Sequence, residues 1–180
     1  ILDFSTLLPG PFATLLLADL GAEVLRIESP TRPDLLRLVQ PQVQGTSVAH
    51  AWINRNKRSL ALDLKQPAAR EVVHDLLREY DILIEQFRPG VMERLGLGYQ
   101  ALKAINPRLI YVSITGYGQT GPCRERAGHD INYLALSGLA ACTGRRDTGP
   151  VPPGVQIADL AGGSLHGVVG LLAAVIQRQH

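Results

Sequence analysis

The chain has 180 residues, 46% of them hydrophobic and 19% charged, with a formal net charge of +2. That suffices for one globular core, so a single domain over residues 1–180 is expected, and the near-neutral balance gives no electrostatic case for nucleic acid or an anionic membrane. Two cysteines form no disulfide framework and fit a reduced, cytoplasmic compartment, and the most apolar stretch, Leu165–Ile176, falls short of a bilayer span.

From the N-terminus, residues 1–5 read as a short strand. Pro9-Gly10-Pro11 then opens an apolar run, Phe12–Leu20, that Gly21 stops, which is the pattern of a helix. Glu23–Glu28 is a second strand. Ser29–Trp52 is rich in proline and glycine and poor in periodicity, so it reads as loop with one helical turn near Asp34–Val39. Ser59–Leu64 alternates as a strand, and Pro67–Glu79 is an amphipathic helix with proline near its start. Asp81–Glu85 is a strand, Gly90–Leu95 a helical turn, Gln100–Ile105 a short helix and Leu109–Ile114 a β-branched strand. Thr115–Gly128 is a glycine-rich loop, Asp130–Cys142 a helix, Gly144–Gly154 a loop and Asp159–Gln179 a long apolar helix. Strand and helix alternate, and strands such as Ile82-Leu83-Ile84 are apolar on both faces. The expected class is therefore α/β, a Rossmann-like open, mostly parallel sheet with flanking helices. Ile1 has no initiator Met before it and the last residues read as uncapped helix, so a further C-terminal portion carrying catalytic partners is expected.

Two glycine-flanked segments carry ionisable groups ahead of apolar runs: Gly128-His129-Asp130-Ile131-Asn132-Tyr133 and Ile157-Ala158-Asp159-Leu160. An imidazole and a carboxylate facing one pocket suit proton abstraction and return. Taken alone, His129 could equally be a structural histidine, and Asp159 or Asp130 a helix cap. Gly116-Tyr117-Gly118-Gln119-Thr120-Gly121 matches a dinucleotide-binding glycine pattern. It is followed by Pro122-Cys123-Arg124-Glu125-Arg126, which cannot supply the apolar helix that a pyrophosphate site needs, so it reads as a flexible loop over a pocket. Arg55, Lys57, Arg58, Lys65, Arg88 and Arg94 lie near strand ends, where they could meet a polyphosphate or simply face solvent. His50, His74 and His166 have no distinguishing context. No metal-ligand spacing occurs, and Ser164 lacks a nucleophile elbow.

These segments, with Leu7-Leu8-Pro9-Gly10-Pro11, Asp19–Glu28, Asn56-Lys57-Arg58-Ser59, Asp63-Leu64-Lys65, Arg88-Pro89-Gly90, Leu95-Gly96-Leu97-Gly98 and Thr115–Pro122, follow one another in an order that resembles the N-terminal half of the family III CoA transferase superfamily. More narrowly, Gly-His-Asp-Ile-Asn-Tyr resembles its alpha-methylacyl-CoA racemase branch; the transferases typically have a Gly-Tyr-Asp type segment and a Gln-Ala pair instead. The resemblance implies racemisation of 2-methylacyl-CoA thioesters by 1,1-proton transfer, with His129 and Asp159 on opposite faces of the α-carbon. An enolate oxygen would be met by N–H groups at Asp130. It implies CoA contacts at Leu62, Asp63, Leu64, Lys65, Gln86, Phe87, Arg88 and Arg94, with Gly128, Ile131, Asn132 and Tyr133 near the thioester. Ser29 stands where some relatives place an arginine, and Arg32 could substitute. No resident cofactor or metal is implied, since CoA arrives as part of the substrate. An interlocked homodimer is implied, and an acidic partner for His129 lies outside this chain. The alternatives are a transferase in which Asp159 attacks the acyl thioester to form a mixed anhydride, and a CoA-binding piece without turnover.

Overall fold

The computed structural model describes residues 1–180. Five parallel strands make the central sheet: β1 (Leu2–Asp3), β2 (Leu25–Glu28), β3 (Arg58–Ala61), β4 (Ile82–Glu85) and β5 (Ile110–Ser113). Their spatial order is β3-β2-β1-β4-β5. In register, Leu2 faces Leu25 on one side and Leu83 on the other, and Ile84 faces Val112. The chain builds outward from β1 to β3, then returns to place β4 on the other side of β1. In such a sheet the crevice at the C-terminal ends of the two strands flanking the reversal is where a ligand fits.

Helices cover both faces. Because successive strand residues point to opposite sides, Leu83 joins one core cluster and Ile84 the other. On Leu83's side, Leu2, Phe4 and Ile27 meet Val73 and Leu77 of α3 (Pro67–Leu76) and its end. Met92 of α4 (Val91–Arg94) and Leu102 of α5 (Tyr99–Ile105) complete that layer. On Ile84's side, Leu17 and Ala18 of α1 (Pro9–Asp19) pack with Leu171 of α7 (His166–Gln179). Between β2 and β3 lies α2 (Val48–Ile53); α6 (Asp130–Leu136) follows β5.

Several expectations are corrected. The strand expected to Leu64 stops at Ala61; Asp63 Oδ1 accepts from the Lys65 N–H at 3.2 Å and the Asp63 carbonyl from the Gln66 N–H, folding Leu62–Gln66 into a turn. The segment expected to be loop up to Trp52 contains a hairpin (Gln42–Val43 with Thr46–Ser47) and α2, whose start is fixed by Ser47 Oγ accepting from the His50 N–H. The helix expected over Asp130–Cys142 breaks after Leu136, because Gly138 takes the left-handed conformation (φ 83°) that terminates helices. A short turn over Leu139–Cys142 and a hairpin at Gly144–Arg145 and Gly149–Pro150 follow. The last helix matches the expected Asp159–Gln179 to within one residue, and so extends beyond the stretch Leu165–Ile176 that alone falls short of a bilayer span. It runs over Ala158–Gln179, 22 residues, and by length and composition alone it could cross a membrane. Here one of its sides is docked on the sheet and α1 through Gly163, Gly167 and Leu171.

Charged groups lie under the crevice. Arg26 is 1% exposed and pairs with the equally buried Asp34, and also with Glu28 at 3.4 Å. Asp3 is fully buried; it accepts from the Ser5 N–H at 2.9 Å and Thr14 Oγ1 at 2.5 Å, and Lys57 Nζ lies 3.6 Å away. Burial pulls the Lys57 ammonium down to about 8 against the opposing pull of Asp3. Such pairs cost desolvation energy and persist because each partner would cost more alone. Just above them Leu7 sits at φ 61°, a conformation that costs a non-glycine residue about 1–2 kcal/mol.

Candidate functional site

A cleft of about 520 Å³ opens at the C-terminal ends of β1, β4 and β5. Leu7 and Pro9 come from the turn after β1, Gln86 to Pro89 from the end of β4, and Ile114 to Tyr117 from the end of β5. The far wall is Arg124, Arg126 to His129, Tyr133, Ala158, Asp159, Gly162 and Gly163. The crevice that strand order alone locates is thus the one the side chains line.

The turn Ser5–Pro11 forms the floor and is held from three sides. Gln86 donates its amide to the Thr6 carbonyl at 2.5 Å and accepts the Gly10 N–H at 2.9 Å, tying β4 to the first turn of α1. Lys57 Nζ donates to the Pro11 carbonyl at 2.8 Å. The Leu7 N–H points at both oxygens of Asp34, at 3.1 and 3.2 Å. Gly10 permits this closeness: a Cβ there would stand 2.2 Å from that of Ser5.

His129 and Asp159 both line the cleft, on different elements. His129 is the residue ahead of α6. Its N–H donates to Asn132 Oδ1 at 2.9 Å and its carbonyl accepts from the Asn132 N–H, so the backbone makes the cap and the exposed imidazole is left to the cleft. Asp159 is not the helix cap that its position invited. It lies inside a π-helical stretch, Ala158–Leu165, at the head of the last helix, and such stretches concentrate at functional sites. Its N–H donates to Asp130 Oδ1 at 3.0 Å, which ties the starts of the two helices together. Asp130 therefore has its side chain turned to Asp159 rather than engaged as a cap. Ser164, fully buried, donates from Oγ to the Pro9 carbonyl at 2.7 Å and lies 3.0 Å from the Asp159 carbonyl, anchoring the π turn to α1. Burial pushes the Asp159 carboxyl above its ordinary range; the Asp130 carboxylate adds to the rise and His129 opposes it.

Tyr133 completes the wall and stacks edge-on against Tyr117, ring centres 5.3 Å apart. Burial holds its phenol above the usual value, so it stays a neutral hydroxyl. Two glycines make room for it: a Cβ at Gly116 would stand 2.1 Å from the Tyr133 hydroxyl, and one at Gly128 2.8 Å from the ring. Gly116→Ala is expected to displace Tyr133, costing about 1–3 kcal/mol of stability and at least tenfold in turnover; a melting curve and a rate measurement check both.

The remaining expected contacts fall in two groups. Phe87, Arg88 and Gly128 line the cleft, as does Gln86, whose amide is already spent on the backbone. Leu62, Asp63, Leu64, Lys65, Arg94, Ile131 and Asn132 do not line it. Leu62 and Leu64 pack against the core, Lys65 and Arg94 are exposed outside it, and Asn132 caps α6. Ser29 closes its own turn, its Oγ accepting from the Arg32 N–H at 3.2 Å. Arg124, Arg126, Leu7 and Pro9 line the cleft without having been singled out as contacts. The only sequence signal for the two arginines was their place in a glycine-rich loop beside His129. No group of three or more His, Cys, Asp or Glu side chains comes together as a metal site.

Residues 1–180 match CoA-transferase family III over the whole chain, and the chain belongs to that family. It is 44% identical over 99% of its length to human succinyl-CoA:glutarate CoA-transferase, covering 41% of that protein. It is also 44% identical to human alpha-methylacyl-CoA racemase, covering 43% of it. Among solved structures, a CaiB/BaiF family protein from Brucella suis superposes with a TM-score of 0.92 at 40% identity, over 99% of this chain and 48% of that one. The chain thus spans about two fifths of the length of the curated relatives it matches.

Proposed function

We propose that this family III chain binds an acyl-CoA thioester in the cleft and interconverts the configuration of its α-carbon by 1,1-proton transfer. The carrying observation is the convergence of an exposed imidazole and a half-buried carboxyl, raised above its ordinary range by burial, on one cleft. One group takes the α-proton while the other, in the opposite protonation state, returns a proton to the other face; different environments let the two states coexist at one pH. The intermediate is an enolate, whose oxygen needs fixed donors. The N–H of Asp130, at the start of α6 where backbone donors are unpaired, is our candidate. The substrate class we favour is 2-methylacyl-CoA, in keeping with Gly128-His129-Asp130-Ile131-Asn132-Tyr133.

A second reading rests on Asp159 alone. Asp159 lines the cleft beside Gly162 and Gly163, and its carboxylate could attack the thioester carbonyl to give an acyl-aspartyl anhydride and free CoA. CoA attack on the aspartyl carbonyl would release the first acid and leave an aspartyl-CoA thioester. An acceptor carboxylate would displace CoA to form a second anhydride, and CoA would attack its acceptor carbonyl to give the new thioester and free Asp159. Proton exchange at the α-carbon in deuterated water, with loss of optical purity, supports the first. A hydroxylamine-sensitive acyl-enzyme with no exchange replaces it by the second. On either reading, Arg88→Ala is expected to weaken CoA binding about tenfold, as loss of a charge-assisted hydrogen bond would. Arg94→Ala is expected to weaken it less, since Arg88 lies at the cleft and Arg94 outside it; titration calorimetry with CoA checks the order.

A further inference from the structure

We propose that Asp34, held by Arg26, is a positioning residue that imposes the left-handed backbone of Leu7 and so sets the shape of the cleft floor for its thioester ligand. The inference rests on the reading that the cleft takes a CoA thioester. Asp34 is 3% exposed and lies in the loop after β2, far in sequence from the turn it governs. Its carboxylate gathers donors from three places: the Leu7 N–H to both oxygens, the Leu36 N–H at 2.9 Å, and the Arg26 guanidinium. Arg26 is in turn fixed by His50 Nε2 at 3.0 Å and by Glu28. Arg26 and Asp34 do not line the cleft; Leu7 does.

The strain at Leu7 gives this network a purpose beyond packing. A leucine leaves φ 61° for the extended or helical region unless something holds it. Two carboxylate oxygens aimed at its N–H provide that hold, and Gln86 fixes Thr6 on one side and Gly10 on the other. Released, Leu7 would swing its side chain and the Thr6–Leu7 peptide, and the wall shared by β1 and β4 would change. Neither partner is available for direct ligand contact, so the effect travels through the backbone of one residue.

The test is a double-mutant cycle read by calorimetric titration of CoA into the intact protein. Asp34→Asn is expected to weaken binding about tenfold. In a Leu7→Gly background, where the left-handed conformation carries no penalty, the same substitution is expected to cost less than twofold. Equal losses in both backgrounds would show that Asp34 acts on stability in general, and would overturn the proposal. Should Asp34→Asn fail to fold, two substitutions at position 7 decide. Leu7→Asn, which tolerates positive φ, is expected to bind better than Leu7→Val, which does not; the reverse order, or equal affinity, overturns it. Wild-type protein that takes no CoA would overturn the cleft's ligand reading itself, a result distinct from intact binding with no coupling.

Discussion

Asp159→Asn is expected to reduce turnover by about 10³-fold or more while leaving CoA affinity close to that of the wild type. Loss of a general acid–base group alone is worth about 10²–10⁴, and both chemistries proposed here need the carboxylate. Its N–H bond to Asp130 and the Ser164 anchor are made by backbone and hydroxyl groups that the substitution leaves alone. The folded protein should therefore survive, and gain. The Asp159 carboxyl is raised in the fold, by burial first and then by Asp130. The native state accordingly holds this proton more tightly than the unfolded chain does. The associated stability is full below the ordinary carboxylate range and is lost as pH rises through the folded value. At neutral pH the wild type bears that loss and asparagine does not. Melting curves from pH 4 to 8 should show the variant's advantage growing with pH. A variant that keeps turnover would remove Asp159 from the chemistry; one with no pH-dependent advantage would mean the buried charge is compensated elsewhere.

His129→Ala is expected to lower α-proton exchange at least 10²-fold with little change in folding. The cap of α6 is made by the His129 N–H and carbonyl, both of which alanine retains. The imidazole is exposed, so its removal opens no cavity. The variant thus separates the two readings. Loss of exchange with CoA affinity kept assigns His129 the second proton-transfer position. Undiminished acyl transfer to an added carboxylate would instead leave Asp159 as sole nucleophile and make His129 a wall of the pocket.

The distribution of what could be read from the residues has physical causes. The strands were legible as apolar runs because helices cover both faces of the sheet. Phe12–Leu20 was legible as an apolar run between Pro9-Gly10-Pro11 and Gly21, and Pro67–Glu79 because it buries one side against the sheet, which forces period into the sequence. Helix α2 was not, since six residues of Val-Ala-His-Ala-Trp-Ile hold too few turns for a period, and its cap is a single serine. The break at Gly138 was hidden because an isolated glycine inside a helical pattern is compatible with both outcomes. In the site, His129 and Asp159 stood out as ionisable groups flanked by glycine. Leu62 and Leu64, expected beside CoA, lie in the turn after β3 with part of their surface against the core, a placement that depends on how that turn folds.

By itself the sequence determined the class, the parallel sheet, and which imidazole and carboxylate to watch, because these follow from local pattern and residue chemistry; the family came from the resemblance that its ordered motifs carry. Only the tertiary structure decided that the two share one cleft and that Asp159 sits in a π turn, not at a cap. It also decided that Gln86 serves the backbone, and that Asp34, Arg26 and Lys57 hold the floor beneath. Those facts depend on where β1 and β4 come together. Strand order brings residues some eighty positions apart within hydrogen-bond reach, and no local window of the chain contains both partners.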